Sequence, residues 1–226
     1  MTRPPKGRGG AARVRAAAGR SPASRRWLER HLNDPYVAEA KARGYRSRAA
    51  FKLIEMDAKH GLLRPGMRVV DLGAAPGGWT QVAVKAVGPA GRVVALDLLP
   101  MSAVPGAIVL QADFTAPETV EALRAALAGP ADLVLSDMAP NTTGHAGTDH
   151  LRILALAEAA LDFATTVLAP GGAFVCKLFQ GGADRALLER LKRAFARVRH
   201  VKPPASRKES REIYVVAQGF RGAAAG

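Results

Sequence analysis

Residues 69–81 constrain this chain more than any other stretch. Val-Val-Asp-Leu-Gly-Ala-Ala-Pro-Gly-Gly-Trp-Thr-Gln reads as the end of a buried strand, with Asp71 near its carboxyl edge, followed by a turn built on Gly73, Gly77 and Gly78. Glycine reaches positive φ without steric cost and lets the backbone come close to a ligand. From about Gly78 the residues suit a helix, whose first N–H groups are aimed into the crevice. Strand, glycine turn and helix form the opening unit of a doubly wound α/β sheet, where ligands bind at the carboxyl ends of the strands.

The turn is as informative for what it lacks. A dinucleotide site needs G-x-G-x-x-G, and here alanines occupy 74 and 75 and Pro76 follows. A P-loop needs Gly-Lys-Ser/Thr, and here the residues are Gly-Trp-Thr. Twenty residues beyond Gly77, Val-Val-Ala-Leu-Asp (93–97) reads as a second strand ending in a carboxylate. An acid at that place accepts both hydroxyls of a ribose. A nucleoside without a pyrophosphate is implied, and S-adenosylmethionine is the obvious candidate. Trp79 opens the following helix as either a core residue or, the reading preferred here, a wall of the cofactor site. Asp113, at the end of a third strand, can accept an adenine amino group or serve as a turn or cap residue.

Strands are expected near 67–72, 92–97, 107–111, 132–137, 172–178, 197–201 and 212–217, and helices near 78–87, 117–128, 150–168 and 183–196. This alternation predicts a mostly parallel sheet covered on both faces. Ahead of it, helical spacing appears at Trp27, Leu28, His31 and Leu32. Asp34-Pro35-Tyr36 then breaks and restarts the chain, and a helix over 47–60 presents Phe51, Leu53, Ile54 and Ala58 as its apolar face. Residues 25–221 are read as one domain, with a frayed end over 222–226. The apolar runs fall short of the roughly 18 residues a membrane span requires. One cysteine in 226 residues excludes a disulfide framework and fits a reducing compartment.

Charge is distributed unevenly. Residues 1–52 carry 14 basic and 3 acidic side chains, residues 53–226 carry 19 and 16. The cationic front points to a polyanion partner held by phosphate contacts. Residues 1–24 contain no acid and read as a disordered basic tail. The tail lacks the apolar segment of a secretory signal and has the arginine-rich look of a mitochondrial transit peptide, so the expected location is cytoplasmic with the mitochondrial matrix as the alternative.

Four polar residues fall where such a sheet places its chemistry. Asp137 ends the strand Leu133-Val134-Leu135-Ser136 and runs into Met138-Ala139-Pro140-Asn141. Lys177 ends the otherwise buried run Ala173-Phe174-Val175-Cys176, where a lysine needs a partner, and Asp137 is the natural one. Glu212 starts a later strand, and Lys52 lies on the helix before the sheet. These residues come in segments that resemble the FtsJ-like (RrmJ) ribosomal RNA 2′-O-methyltransferases: Gly44 to Leu53, Val70 to Gln81, Asp97-Leu98-Leu99-Pro100-Met101, Ser136 to Asn141, Lys177-Leu178-Phe179-Gln180-Gly181 and Ser206 to Tyr214. The resemblance covers about Trp27 to Gln218.

The resemblance implies a Rossmann-like, S-adenosylmethionine-dependent methyltransferase with a mostly parallel seven-stranded sheet and helices on both faces. It implies a catalytic set of Lys52, Asp137, Lys177 and Glu212, with Lys177 as proton acceptor. The implied cofactor contacts are Gly77, Trp79, Asp97, Asp113 and Asp137, and no metal takes part. The implied substrate is a uridine of the large-subunit RNA, modified on the assembled subunit by a monomeric enzyme. A related enzyme of tRNA or mRNA cap and a non-catalytic rRNA-binding assembly factor are the alternatives. Lysine serves as a base only when neutral, so the site must disfavour its charge by burial and nearby cations. Base-nitrogen methylation fits less well, because Asp137-Met138-Ala139-Pro140 offers no stacking ring. Carbon-5 methylation needs a cysteine nucleophile, and strand alternation turns Cys176 to the face opposite Lys177. His145 and His150 lack partners at metal-ligand spacing. Two basic segments, Arg25 to Arg48 and Lys192 to Arg211, flank Lys52 and Glu212 as RNA contacts. Aromatics are only 5% of the chain, which favours recognition by backbone and shape.

Overall fold

The computed structural model describes Glu29 and residues 32–140, 144–181 and 185–222. In chain order these form α1 (Pro35–Ala42), α2 (Ala50–His60), β1 (Arg68–Leu72), α3 (Gly78–Val87), β2 (Arg92–Asp97), β3 (Ala107–Gln111), α4 (Pro117–Leu127), β4 (Ala131–Ser136), α5 (Ala146–Val167), β5 (Leu168–Phe179), α6 (Arg185–Ala194), β6 (Phe195–Val201) and β7 (Glu212–Phe220). The basic tail, Trp27, Leu28, His31, Asn141 and residues 223–226 lie outside the described residues.

The strands make one sheet in the order β3-β2-β1-β4-β5-β7-β6. The first five are parallel, and β7 runs antiparallel between β5 and β6. The chain winds outward from β1 to β3 and then crosses back to β4. The crevice of an open α/β sheet therefore falls at the carboxyl ends of β1 and β4. Because both faces are covered, the central strands are apolar along their length rather than alternating. Val70, Leu72, Val134, Phe174 and Cys176 pack toward α4, α5 and α6. Val69, Leu133, Leu135, Val175 and Tyr214 pack toward α2 and α3. Each such side chain contributes about 1.5–3 kcal/mol through burial.

The elements depart from the sequence expectation in four places. Asp34-Pro35 does not only break the chain. It starts α1, with the Asp34 carboxylate accepting the Tyr36 N–H at 3.0 Å and Pro35 supplying a preset φ in the first turn. On α2 the inward residues are Ala50, Phe51, Leu53 and Met56, and Ala58 is exposed. Helix α5 begins at Ala146, four residues ahead of the expected start, and β5 extends back to Leu168. Helix α6 stops at Ala194 and Phe195 already belongs to β6, where it stacks with Phe174 and meets Phe220.

Candidate active site

At the crevice the backbone itself shapes the wall. Gly73 follows β1 at φ +73, and a Cβ there would stand 2.7–2.9 Å from Met138 atoms beyond β4. Asp97, at the end of β2, braces the turn from below. Its carboxylate accepts the Ala75 N–H at 2.9 Å and the Leu99 N–H at 2.8 Å. Between these ends opens a cavity of about 290 Å³, lined by Gly73, Ala75, Leu96, Asp97, Leu98, Leu99, Asp113, Phe114, Asp137 and Met138 among others. Apolar walls with three carboxylates, Asp97, Asp113 and Asp137, among the lining residues suit a nucleoside, whose flat base is apolar and whose hydroxyls and amino group need acceptors. Asp113 is exposed and accepts from Thr115 N at 2.8 Å and Thr115 Oγ1 at 2.7 Å, bonds that hold its carboxyl below the usual range. Beneath the turn, Asp71 is fully buried and accepts Thr80 Oγ1 at 2.7 Å. Burial pushes Asp71 up to about 7; the Thr80 bonds oppose this, and the charges of Asp137 and Asp97 add to it.

Gly77 and Trp79 lie at the start of α3 and do not line this cavity. Gly77 sits at φ +105, and a Cβ on it would meet Arg46 Nη1 and Met101 Sδ at 3.0 Å. The Trp79 ring, expected as a wall, is instead in the core. It is 3% exposed, its Nε1 donates to the Ala49 carbonyl at 2.8 Å, and its ring lies 5.6 Å from that of Tyr214. The reason is the pitch of α3: a residue one step inside the helix, on the face that meets the sheet and α2, has no path outward.

The four residues expected to act together do meet, across 160 positions of sequence. β5 and β7 pair so that Lys177 faces Tyr214 and Phe179 faces Glu212. Lys177 Nζ lies 2.8 Å from Asp137 Oδ1 and donates to the Asp137 carbonyl at 2.6 Å. The Tyr214 hydroxyl donates to the same Asp137 Oδ1 at 2.7 Å and accepts from Lys52 Nζ at 3.1 Å. Lys52 Nζ is 2.7 Å from both oxygens of Glu212. The pairs are close to closed off from water, with side chains 9% and 17% exposed for Lys177 and Asp137, and 9% and 14% for Lys52 and Glu212. Burial alone would raise Asp137, yet the charges of Lys177 and Lys52 outweigh it and hold the carboxyl below its usual range. Tyr214 is driven well above 10 by burial and by the Asp137 and Glu212 charges, so its hydroxyl stays a neutral link. Two cations, two anions and one hydroxyl thus compensate one another at the mouth of the crevice, at the Asp137 end of the cavity.

Tyr214 is the member that sequence reasoning missed. Within Glu212-Ile213-Tyr214-Val215-Val216 it reads as core, and its ring is core; only its register opposite Lys177 reveals the second use. Cys176 behaves as expected, packed on the far face of the sheet with its thiol pushed up to about 12 by burial. Part of the basic complement turns out to be internal. Arg46 donates to the carbonyls of Pro76, Ser102 and Ala103. Arg48 pairs with Asp34 at 2.9 Å, Arg207 with the same carboxylate at 3.3 Å, and Arg211 donates to the Gln180 carbonyl.

Fold and crevice together define a Rossmann-like methyltransferase. More specifically, the chain belongs to the FtsJ-like methyltransferase family, whose model matches residues 45–220. It is 62% identical over 221 residues to the ribosomal RNA large subunit methyltransferase E of Granulibacter bethesdensis, covering 97% of this chain and 95% of that one. It is 63% identical over 211 residues to the protein of the same name from Acidiphilium cryptum, covering 93% of each. Among solved structures, a ribosomal RNA methyltransferase from Plasmodium falciparum superposes with a TM-score of 0.72 at 29% identity, covering 79% of this chain and 100% of that one.

Proposed function

We propose that this chain methylates a ribose 2′-hydroxyl, that of a uridine in large-subunit ribosomal RNA, using S-adenosylmethionine and acting as a cytoplasmic monomer on the assembled subunit. The observation that carries the reading is the contact series Lys177–Asp137–Tyr214–Lys52–Glu212, which adjoins a nucleoside-sized cavity through Asp137. The names of its relatives, which match nearly end to end, support the class of RNA.

The residues present fit the cofactor. Gly73 lets the backbone after β1 pass close to Met138, where a Cβ would collide, so that both line the cavity wall. Asp97 and Asp113 keep unshared lone pairs at the cavity for ribose hydroxyls and an adenine amino group. Gly77 and Trp79 contribute through the backbone at the start of α3, since the indole is committed elsewhere. When bound, S-adenosylmethionine supplies an electrophilic methyl on a sulfonium. In its neutral amine form, its ammonium proton having first left to solvent, Lys177 takes the proton of the 2′-hydroxyl, and Asp137, holding Nζ by carboxylate and carbonyl, aims it. Lys52 and Glu212, fixed to each other, position the acceptor ribose, so that much of the rate comes from alignment of two bound reactants.

The test is methyl transfer from labelled S-adenosylmethionine to unmodified large subunits, with naked rRNA and tRNA in parallel. Alkali-resistant label on the subunit is expected, reduced about 10²- to 10⁴-fold by Lys177→Ala with cofactor affinity unchanged. Label on tRNA alone would replace the substrate, and tight cofactor binding with no transfer to any RNA would replace the enzyme by an assembly factor.

A further inference from the structure

The segment between β6 and β7 is held more firmly than its position on the surface requires. Ala205 is fully buried between Ala40 and Phe51 of the two N-terminal helices. Its N–H donates to Glu55 Oε2 at 2.7 Å, and its carbonyl accepts from Arg48 Nη2 at 2.6 Å. Glu55 in turn accepts the Tyr36 hydroxyl at 2.9 Å, and Asp34, 9% exposed, receives both Arg48 and Arg207. Carboxylates this secluded persist only where cations and donors compensate them. The next residue, Ser206, is 5% exposed, and its hydroxyl donates to Glu212 Oε1 at 2.8 Å. That is the carboxylate whose two oxygens Lys52 also holds.

We propose that Ser206 is a positioning residue of the acceptor half of the site, fixing the Glu212 carboxylate in the one orientation that receives Lys52. The inference rests on the catalytic reading of Lys52 and Glu212. A glutamate side chain with one partner swings about its χ angles. Lys52 Nζ reaches both carboxylate oxygens, and the Ser206 hydroxyl adds a separately anchored partner at Oε1, which fixes the plane of the carboxylate about the Lys52 contact. The Ala205 peptide, bonded on both edges, ties Ser206 to α1 and α2, so the helix that carries Lys52 and the loop that aims Glu212 move as one body. Tertiary placement thus substitutes for the 160-residue gap in sequence between the two catalytic partners.

The experiment is a double-mutant cycle on methyl transfer to large subunits, reading kcat, KM for the subunit, cofactor Kd and thermal midpoint for Ser206→Ala, Glu212→Gln and the pair. Ser206→Ala is expected to lower kcat about 10- to 100-fold, the loss of one hydrogen bond to a charged group, with cofactor Kd and KM within about twofold of the parent. In the Glu212→Gln background the same change is expected to cost little further, because the group that Ser206 aims is already gone. If Ser206→Ala does not accumulate as folded protein, Ser206→Cys, which keeps the side-chain volume and only a weak donor, takes its place in the cycle. Unchanged kcat in Ser206→Ala, or equal losses in both backgrounds, overturns the proposal. Full activity in Glu212→Gln itself would overturn the underlying catalytic assignment instead, so the two failures are distinguishable.

Discussion

The half of this crevice proposed to hold the cofactor and the half proposed to hold the acceptor are built on different principles. The half proposed for the cofactor is centred on one continuous run, β1 and the glycine turn, walled by the residues that follow β2 and β3, with Asp97 bracing the turn through backbone N–H groups. Its shape is backbone geometry, and Gly73 and Gly77 are there because side chains would not fit. The acceptor half has no such continuity. Lys52 comes from α2, Asp137 from the end of β4, Lys177 from β5 and Glu212 and Tyr214 from β7, joined by ion pairs and hydrogen bonds between side chains. A half made of backbone tolerates loss of a side chain in its surroundings. A half made of compensating charges does not, because removing one partner strands the other away from water.

This contrast can be broken most severely at the buried pair. Lys52→Met leaves Glu212 without its cation and is expected to destabilise the fold by about 3 kcal/mol while methyl transfer falls about 100-fold or more. Replacing both members, Lys52→Met with Glu212→Leu, should recover most of the stability and none of the activity. Chemical denaturation beside the transfer assay checks this, and activity returning with stability would mean the pair is only structural. A smaller effect is expected from Asp97→Ala. Cofactor affinity should drop about 10- to 100-fold, by loss of both a ligand acceptor and the brace on Ala75 and Leu99, with subunit binding unaltered. Equilibrium binding of labelled cofactor measures it, and an equal loss of subunit affinity would blur the division between halves.

The smallest expected effect is a pH dependence confined to the cofactor half. Asp71 moves from 3.8 unfolded up to about 7 in the fold. Its contribution to stability is therefore complete below about pH 4 and is lost as the pH rises through about 7, where the buried carboxyl must ionise. Asp71→Asn has no proton to lose. Its stability relative to the parent should increase by about 1 kcal/mol between about pH 6 and 8, or about 2–4 °C in thermal midpoint. A difference that stays flat across this range would show that Asp71 is already ionised in the fold.

What could be read beforehand follows the same division. Strand, glycine turn and helix over 69–87 are legible because glycine placement and apolar runs act locally. The pairing of Lys177 with Asp137 is legible because a lysine in a buried strand needs a partner, but the meeting of that pair with Lys52 and Glu212 is reachable only through the resemblance, since no local pattern says that Lys177 and Tyr214 lie opposite each other. Helix α1 escaped because Asp34-Pro35 signals both a chain break and a helix start, and its eight residues carry no strong apolar stripe. Trp79 misled because a tryptophan beside a ligand turn has two uses, and the helix pitch that decides between them is set by tertiary packing. Arg46, Arg48 and Arg207 counted toward an RNA surface by charge alone, although the fold spends them on carbonyls and on Asp34.

The antiparallel placement of β7 has a consequence for synthesis. Because β7 runs opposite to its neighbours, its first residues, Glu212 and Tyr214, arrive at the same edge as the last residues of β5. The ribosome delivers Gly73, Gly77, Asp97 and Asp113 well before this strand exists. A nascent chain halted ahead of residue 212 therefore carries the whole cofactor cradle but lacks the partner of Lys52 and the hydroxyl that joins Lys52 to Asp137. On the proposed catalytic assignment, methyl transfer to RNA is therefore expected only once the final stretch is translated, and a chain truncated before residue 212 is expected to transfer none.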